Sequence, residues 1–291
     1  MTALIIGYTL VGFLIGHVIR RLIPRLLNLK DRSLPFAWPW LELTGGIMFA
    51  VTSWRFDAMA ALPWLLFCSV TLAAIGTDYG FKLIPDEVQL VGIVLGVIAS
   101  TWQPEPILSF LGHKQLIWSM LGSANPHVAG AALSISGAIS GFVFLGLARW
   151  VLGRMAGMDV MGFGDVKFMA LLGAFVGPEM AVVILFPSSI IGIVSGVTVR
   201  LIYGIPHAPF GPPLAFGAMV MAYFHNELVH SVSAFYGRLF SLPKSFNLIF
   251  FFVLIATLVW LLLRIKKRAS MYSKMIERDY EEISQHIEED S

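Results

Sequence analysis

Residues 58–78, AMAALPWLLFCSVTLAAIGTD, form a run of twenty uncharged residues closed by Asp78. A helix of that length is about 30 Å long, the thickness of a bilayer's hydrocarbon core. Similar runs recur through the 291 residues, of which 57% are hydrophobic and only 13% charged, a composition that excludes a soluble domain. The predicted fold is all-α: a polytopic membrane protein of about eight to nine transmembrane helices. Cys68, the single cysteine, lies inside the run, so neither a disulfide framework nor a cysteine-ligated metal site is expected.

Outward from that run, spans are predicted over Thr2–Val18, Pro39–Ser53, Ala58–Thr77, Glu87–Thr101 and His127–Leu152. Four more follow at Val166–Leu185, Ser188–Tyr203 after a tight turn at Pro187, Leu214–Phe224 and Phe246–Leu263. The first span runs straight into arginines with no small-residue cleavage site, so it reads as retained. Arg20, Arg21, Arg25, Lys30 and Arg32 follow that span, and Arg264, Lys266, Lys267 and Arg268 follow the last. Basic residues favour the cytoplasmic side, which sets the N-terminus outside and the C-terminus inside. Asp78 and Asp165 then meet the same cytoplasmic surface. Residues 1–265 make a membrane domain and residues 266–291 a basic-then-acidic tail. In the tail, Ile276, Tyr280, Ile283 and Ile287 recur at helical spacing against Glu277, Glu281, Glu282 and Glu288. It reads as an amphipathic helix, either solvated or steering a basic ligand.

Between the fifth and sixth spans stands Met161-Gly162-Phe163-Gly164-Asp165-Val166-Lys167. A carboxylate opening an apolar segment is costly in lipid unless it faces water or a partner, which makes Asp165 a functional candidate. Gly162 and Gly164 leave the backbone free to bend and let another chain approach. The competing reading is a helix N-cap. Asp78 likewise reads either as a solvated membrane-edge residue or as a second acid. If the two meet across a wet crevice, a protonated Asp78 and an ionised Asp165 can hold and deprotonate a water for attack on a peptide carbonyl. Around them, Asp86 fits the cap of the fourth span, and Lys167 either neutralises Asp165, binds a substrate carbonyl or snorkels. Glu42 suits the first turn of the second span. Asp159 is a further acid just before this stretch.

Other chemistries lack their residues. His225 and His230 are five apart, not the four that a zinc helix needs, and no metal site is expected. There is no Gly-x-Ser-x-Gly elbow, phosphate loop or dinucleotide fingerprint.

At these residues the chain resembles the bacterial type IV prepilin peptidases, aspartic proteases with a Gly-x-Gly-Asp motif. The likeness rests on Gly162-Phe163-Gly164-Asp165-Val166-Lys167 and on Asp78 followed seven residues later by Pro85-Asp86. Gly16, Val18, Ile19, Arg20 and Leu22, Pro39 with Glu42 and Leu43, and Phe210-Gly211-Pro212 before Leu214-Ala215 and Gly217 extend it. The resemblance implies a multi-pass enzyme of the bacterial cytoplasmic membrane that cuts the short basic leader from prepilins or pseudopilins, after a glycine, on the cytoplasmic side. Asp78 and Asp165 would be the catalytic pair, with Gly162, Gly164, Lys167, Asp86 and Glu42 in support. The implied partners are those substrates and the lipid bilayer, with no nucleic acid, and proteolysis itself needs no cofactor. Many members also methylate the new N-terminus with S-adenosylmethionine and carry paired cysteines between the first two spans. Here that connection, Arg20 to Trp38, is short and contains no cysteine, so S-adenosylmethionine enters only if methylation is retained. A proton-coupled transporter using the same acids, a presenilin-like intramembrane protease and an assembly scaffold are the rival classes.

Overall fold

The computed structural model describes residues 2–27, 39–110, 125–157, 161–203 and 209–240. The predicted span Phe246–Leu263, the acidic tail, Asp159, Lys30 and Arg32 lie outside the described residues. Every regular element among those described is a helix: α1 Thr2–Leu26, α2 Trp40–Arg55, α3 Ala58–Phe81, α4 Asp86–Trp102, α5 Glu105–Ser109, α6 Pro126–Ala156, α7 Phe163–Val183, α8 Leu185–Tyr203 and α9 Gly211–Phe240. Four of these, α1, α3, α6 and α7, are long and apolar enough to cross a membrane.

The helix ends shift several sequence expectations. α3 runs one turn past Thr77, so Asp78 lies inside the helix, which Lys82 closes in the left-handed conformation (φ 53°) by donating its N–H to the Asp78 carbonyl at 2.8 Å. α7 begins at Phe163, which puts Asp165 in the first turn rather than before it. The break expected at Pro187 falls at Ile184, and Pro187 sits in the first turn of α8, where its missing N–H is tolerated. α9 starts at Gly211 with Pro212 and Pro213 in its own first turn. It leaves helical geometry only at Phe224 (φ −126°, ψ 18°) and then continues to Phe240, so Arg238 stands on a helix and not in the expected loop.

The chain divides into two units, Met1–Gly146 with Phe163–His225, and Leu147–Gly162 with Asn226–Ser291. In the second unit, the Arg154 guanidinium lies 5.1 Å from the Trp150 ring centroid. The first unit holds the core, and α7 is its centre: 72% of its most apolar window is buried, against 11% for α1. Outer faces remain apolar, with Leu10 66%, Ile193 67% and Leu201 80% exposed, the pattern of a lipid-facing surface.

Lipid offers no hydrophobic drive between helices, so close backbone approach at small residues carries the packing. A Cβ placed on Gly137 would strike the Gly173 carbonyl, and one on Gly173 would strike the Gly137 carbonyl, so α6 and α7 cross backbone to backbone. Gly12 and Gly45 form the same reciprocal crossing between α1 and α2, and Gly92 admits Leu171 and Val70 against α4.

α7 also bends. Gly177 adopts φ 82°, and Pro178 has no N–H for the Ala174 carbonyl four residues back. The hydroxyl of Ser134 on α6 donates to that carbonyl at 2.6 Å, and Ser100 on α4 reaches it at 3.4 Å. At another level, α2, α3 and α9 are tied by the Thr52 and Tyr223 hydroxyls at 2.7 Å and by Cys68 Sγ at 3.1 Å from the Tyr223 hydroxyl.

Gly173→Val should therefore destabilise the protein by about 3 kcal/mol or more, because both backbones must part. Gly7→Ala, where nothing lies within 4 Å, should be silent. Thermal unfolding in detergent, followed with a fluorescent thiol probe or by loss of the monodisperse peak, distinguishes the two.

Candidate active site

Asp78 is 6% exposed in the last turn of α3, and its Oδ2 accepts the backbone N–H of Gly211 at 2.8 Å. That N–H is free to donate because it opens α9 and has no intrahelical acceptor. A Cβ on Gly211 would fall onto Oδ2 of Asp78, so only glycine allows this approach. Asp165 is half-buried in the first turn of α7. Gly164, just before it, lies against Ile84 and the Gln89 amide, each 4.0 Å from the position of a Cβ. Ile84 belongs to the short turn joining α3 to α4, so α3 ends and α7 begins on one side of that turn. Both acids consequently lie at the same end of the first unit. Gly162 directly precedes α7 and falls in the second unit.

Lys167, one turn of α7 from Phe163, reaches both oxygens of Asp86 at 2.7 Å and stands 5.2 Å from the Phe163 ring centroid. Asp86 thus gives its carboxylate to Lys167 across α4 and α7, while Pro85 holds the N-cap of α4 with no side-chain capping bond. Beside this pair runs an open groove of about 500 Å³, lined by Asp86, Glu87, Gln89, Phe142, Lys167 and Ala170 among others.

Glu42 occupies the first turn of α2 as expected, but the dipole is the lesser part of its setting. It is 1% exposed, with Oε1 2.7 Å from Arg20 Nε and 3.2 Å from His17 Nδ1. Leu41, its neighbour, packs with Ile23 against Gly76, two residues before Asp78. The cluster therefore holds α1 and α2 against the end of α3 that carries the acid. Sequence reasoning gave Gly211, Gln89, His17 and Arg20 no role at the site. Gly211 had a local signal, a glycine immediately before two prolines at a helix start; the others depend on contacts remote in sequence.

Residues 65–197 match the model of the type IV leader peptidase family, Peptidase_A24, a stretch that contains Asp78, Asp86, Asp165 and Lys167. That segment is similar to type IV leader peptidases. Three relatives named prepilin leader peptidase/N-methyltransferase are similar beyond it. The protein from Xanthomonas campestris pv. campestris is 28% identical over 216 residues, covering 72% of this chain and 66% of the relative. Those from Pseudomonas putida and Neisseria gonorrhoeae are each 27% identical, covering 67% of this chain and 61% and 60% of the relatives. The match thus spans less than two thirds of the length of these curated relatives. No solved structure matches the chain. Glu42 precedes the matched segment and Gly211 follows it, so both clusters that fix the end of α3 draw residues from outside it.

Arg20→Met should strand the buried Glu42 carboxylate and lower stability by about 3 kcal/mol, while the double change Arg20→Met/Glu42→Leu should recover most of the loss. Unfolding midpoints of the three proteins in one detergent measure this.

Proposed function

We propose that the chain is an aspartic endopeptidase that removes the short basic leader from type IV prepilins or pseudopilins, with Asp78 and Asp165 as its catalytic pair. The observation that carries this reading is the shared placement of the acids: one tied by Gly211 at the end of α3, the other opening α7 beside the turn from α3 to α4. The matched segment that contains both supports it.

In the reaction, ionised Asp165 takes a proton from water as the water oxygen attacks the scissile carbonyl carbon, and protonated Asp78 gives its proton to the carbonyl oxygen. The tetrahedral diol then collapses. The C–N bond breaks, the leaving nitrogen takes a proton from Asp165, and the carboxyl product returns one to Asp78. Gly211 keeps the Asp78 carboxyl in one orientation throughout, and Gly164 leaves room beside Asp165 for the substrate backbone.

The proposed setting is the bacterial cytoplasmic membrane, crossed by eight or nine helices with the N-terminus outside, the C-terminus inside and both acids at the cytoplasmic edge. The exposed apolar faces of α1 and α8 support a lipid surround. Cleavage after the leader glycine leaves the apolar substrate helix in the bilayer. The relatives' names also include N-methyltransferase. S-adenosylmethionine does not fit the polar cluster between α1 and α2, because Glu42 there is closed to solvent and held by Arg20, so no methyl-transfer step is assigned to these residues. The acidic tail is proposed as a cytoplasmic extension of the membrane domain.

Asp78→Asn and Asp165→Asn should each abolish cleavage of a co-expressed prepilin after the leader glycine, with folded yield unchanged. Gly211→Ala should lower kcat about tenfold or more at an unaltered cut site, since its Cβ displaces the Asp78 carboxyl. Gel mobility and N-terminal sequencing of the pilin read both. Wild-type rates in either asparagine variant would remove that residue from the catalytic pair, and a cut inside the apolar helix would favour an intramembrane protease.

A further inference from the structure

Gln89 carries a buried acceptor that nothing described so far uses. It is 2% exposed at the end of the first turn of α4. Its Nε2 donates to the Ile84 carbonyl at 2.8 Å, which fixes which end of the amide is which, because the flipped amide would set oxygen against oxygen. Oε1 is thereby turned away from Ile84, and it has no hydrogen-bond partner among the described residues. A buried carbonyl oxygen left without a donor is destabilising, and a donor supplied from outside the described residues relieves that cost.

The surroundings say what kind. Gln89 lines the groove between α4 and α7, whose walls include Leu90, Ile93 and Phe142 and whose rim carries Asp86 and Glu87 beside Lys167. Its Nε2 lies 4.0 Å from the position of a Cβ on Gly164, the residue before Asp165, so the amide that carries the free Oε1 stands beside a backbone with no side chain to block approach. An extended peptide passing along Gly164 toward the acids presents backbone N–H groups at this depth. Apolar walls suit its side chains, and the acidic rim suits a cationic stretch on one side of it.

Resting on the peptidase reading above, we propose that Gln89 is a substrate-positioning residue: its Oε1 accepts one main-chain N–H of the prepilin bound in the α4–α7 groove and so sets the register of the peptide against Asp165. The bond is neutral and formed on binding, so its loss should weaken capture of the substrate more than turnover.

The test pairs enzyme and substrate changes. A synthetic prepilin N-terminal peptide spanning the leader glycine is made with all amides, and again with a single backbone ester replacing one N–H at each position around the cut. Gln89→Leu, or Gln89→Met should the leucine variant fold poorly, removes the acceptor at similar volume. With the all-amide peptide, kcat/KM should fall about 3- to 10-fold, mainly through KM, the size of one neutral hydrogen bond. One ester position should cost wild type a similar factor and cost the Gln89 variant nothing further, the coupling that identifies the partner N–H. Equal ester effects in both enzymes at every position, or wild-type kcat/KM in both Gln89 variants, would overturn the assignment while leaving the peptidase reading intact. A wild-type protein that leaves the all-amide peptide whole would overturn both.

Discussion

The first unit depends on two backbones being allowed to touch at Gly137 and Gly173. Because neither residue carries a Cβ, α6 lies directly on α7, and α7 can be enclosed by α3, α4 and α6 at once. The enclosure matters for chemistry as well as packing. A helix surrounded on most sides holds its first turn in a fixed place, and the first turn of α7 carries Gly164 and Asp165. The same enclosure makes the bend at Gly177 and Pro178 tolerable, since helices are near enough for Ser134 and Ser100 to serve the carbonyl that the proline leaves unpaired. In an apolar medium that carbonyl would otherwise have no donor at all. Glycine crossings and hydroxyl donors thus act together: the first bring helices close, and the second satisfy the backbone where closeness requires a bend.

Much of this was legible in sequence, and the reason is physical. A run such as Ala58–Thr77 has one stable outcome in lipid, a helix with its backbone bonds satisfied internally, so helix existence and rough limits could be read directly. Asp78 and Asp165 stood out because charge is rare in such runs. What could not be read were features whose cause lies far away in the chain. The partner of Glu42 is Arg20 on another helix, that of Lys167 is Asp86, eighty-one residues distant, and that of Asp78 is Gly211, one hundred and thirty-three residues on. The bend at Gly177 also went unseen, because Gly-Pro within an apolar run is read as a stop or ignored unless neighbouring donors are known. Helix ends erred for a related reason. A proline in an apolar run suggests a break, yet Pro187, Pro212 and Pro213 each sit in a first turn, where proline is at ease.

The two acids of the candidate pair are held in different ways. Asp78 is fixed from outside its helix by Gly211, with the Glu42 cluster bracing the same end of α3 through Leu41 and Ile23. Asp165 rides on the first turn of α7, and the burial of that helix helps to fix where the turn stands.

The first half of α9 is pinned at both ends. Its opening N–H meets Asp78, and twelve residues later Tyr223 meets Thr52 and Cys68, just before the helical geometry gives way at Phe224. Twelve residues of helix measure about 18 Å, and each residue added or removed turns the far end by about 100°. The segment from Gly211 to Tyr223 therefore works as a ruler between a polar knot in the apolar interior and the carboxyl group at the bundle's end. Its length, more than the identity of its side chains, decides whether both contacts can form at once.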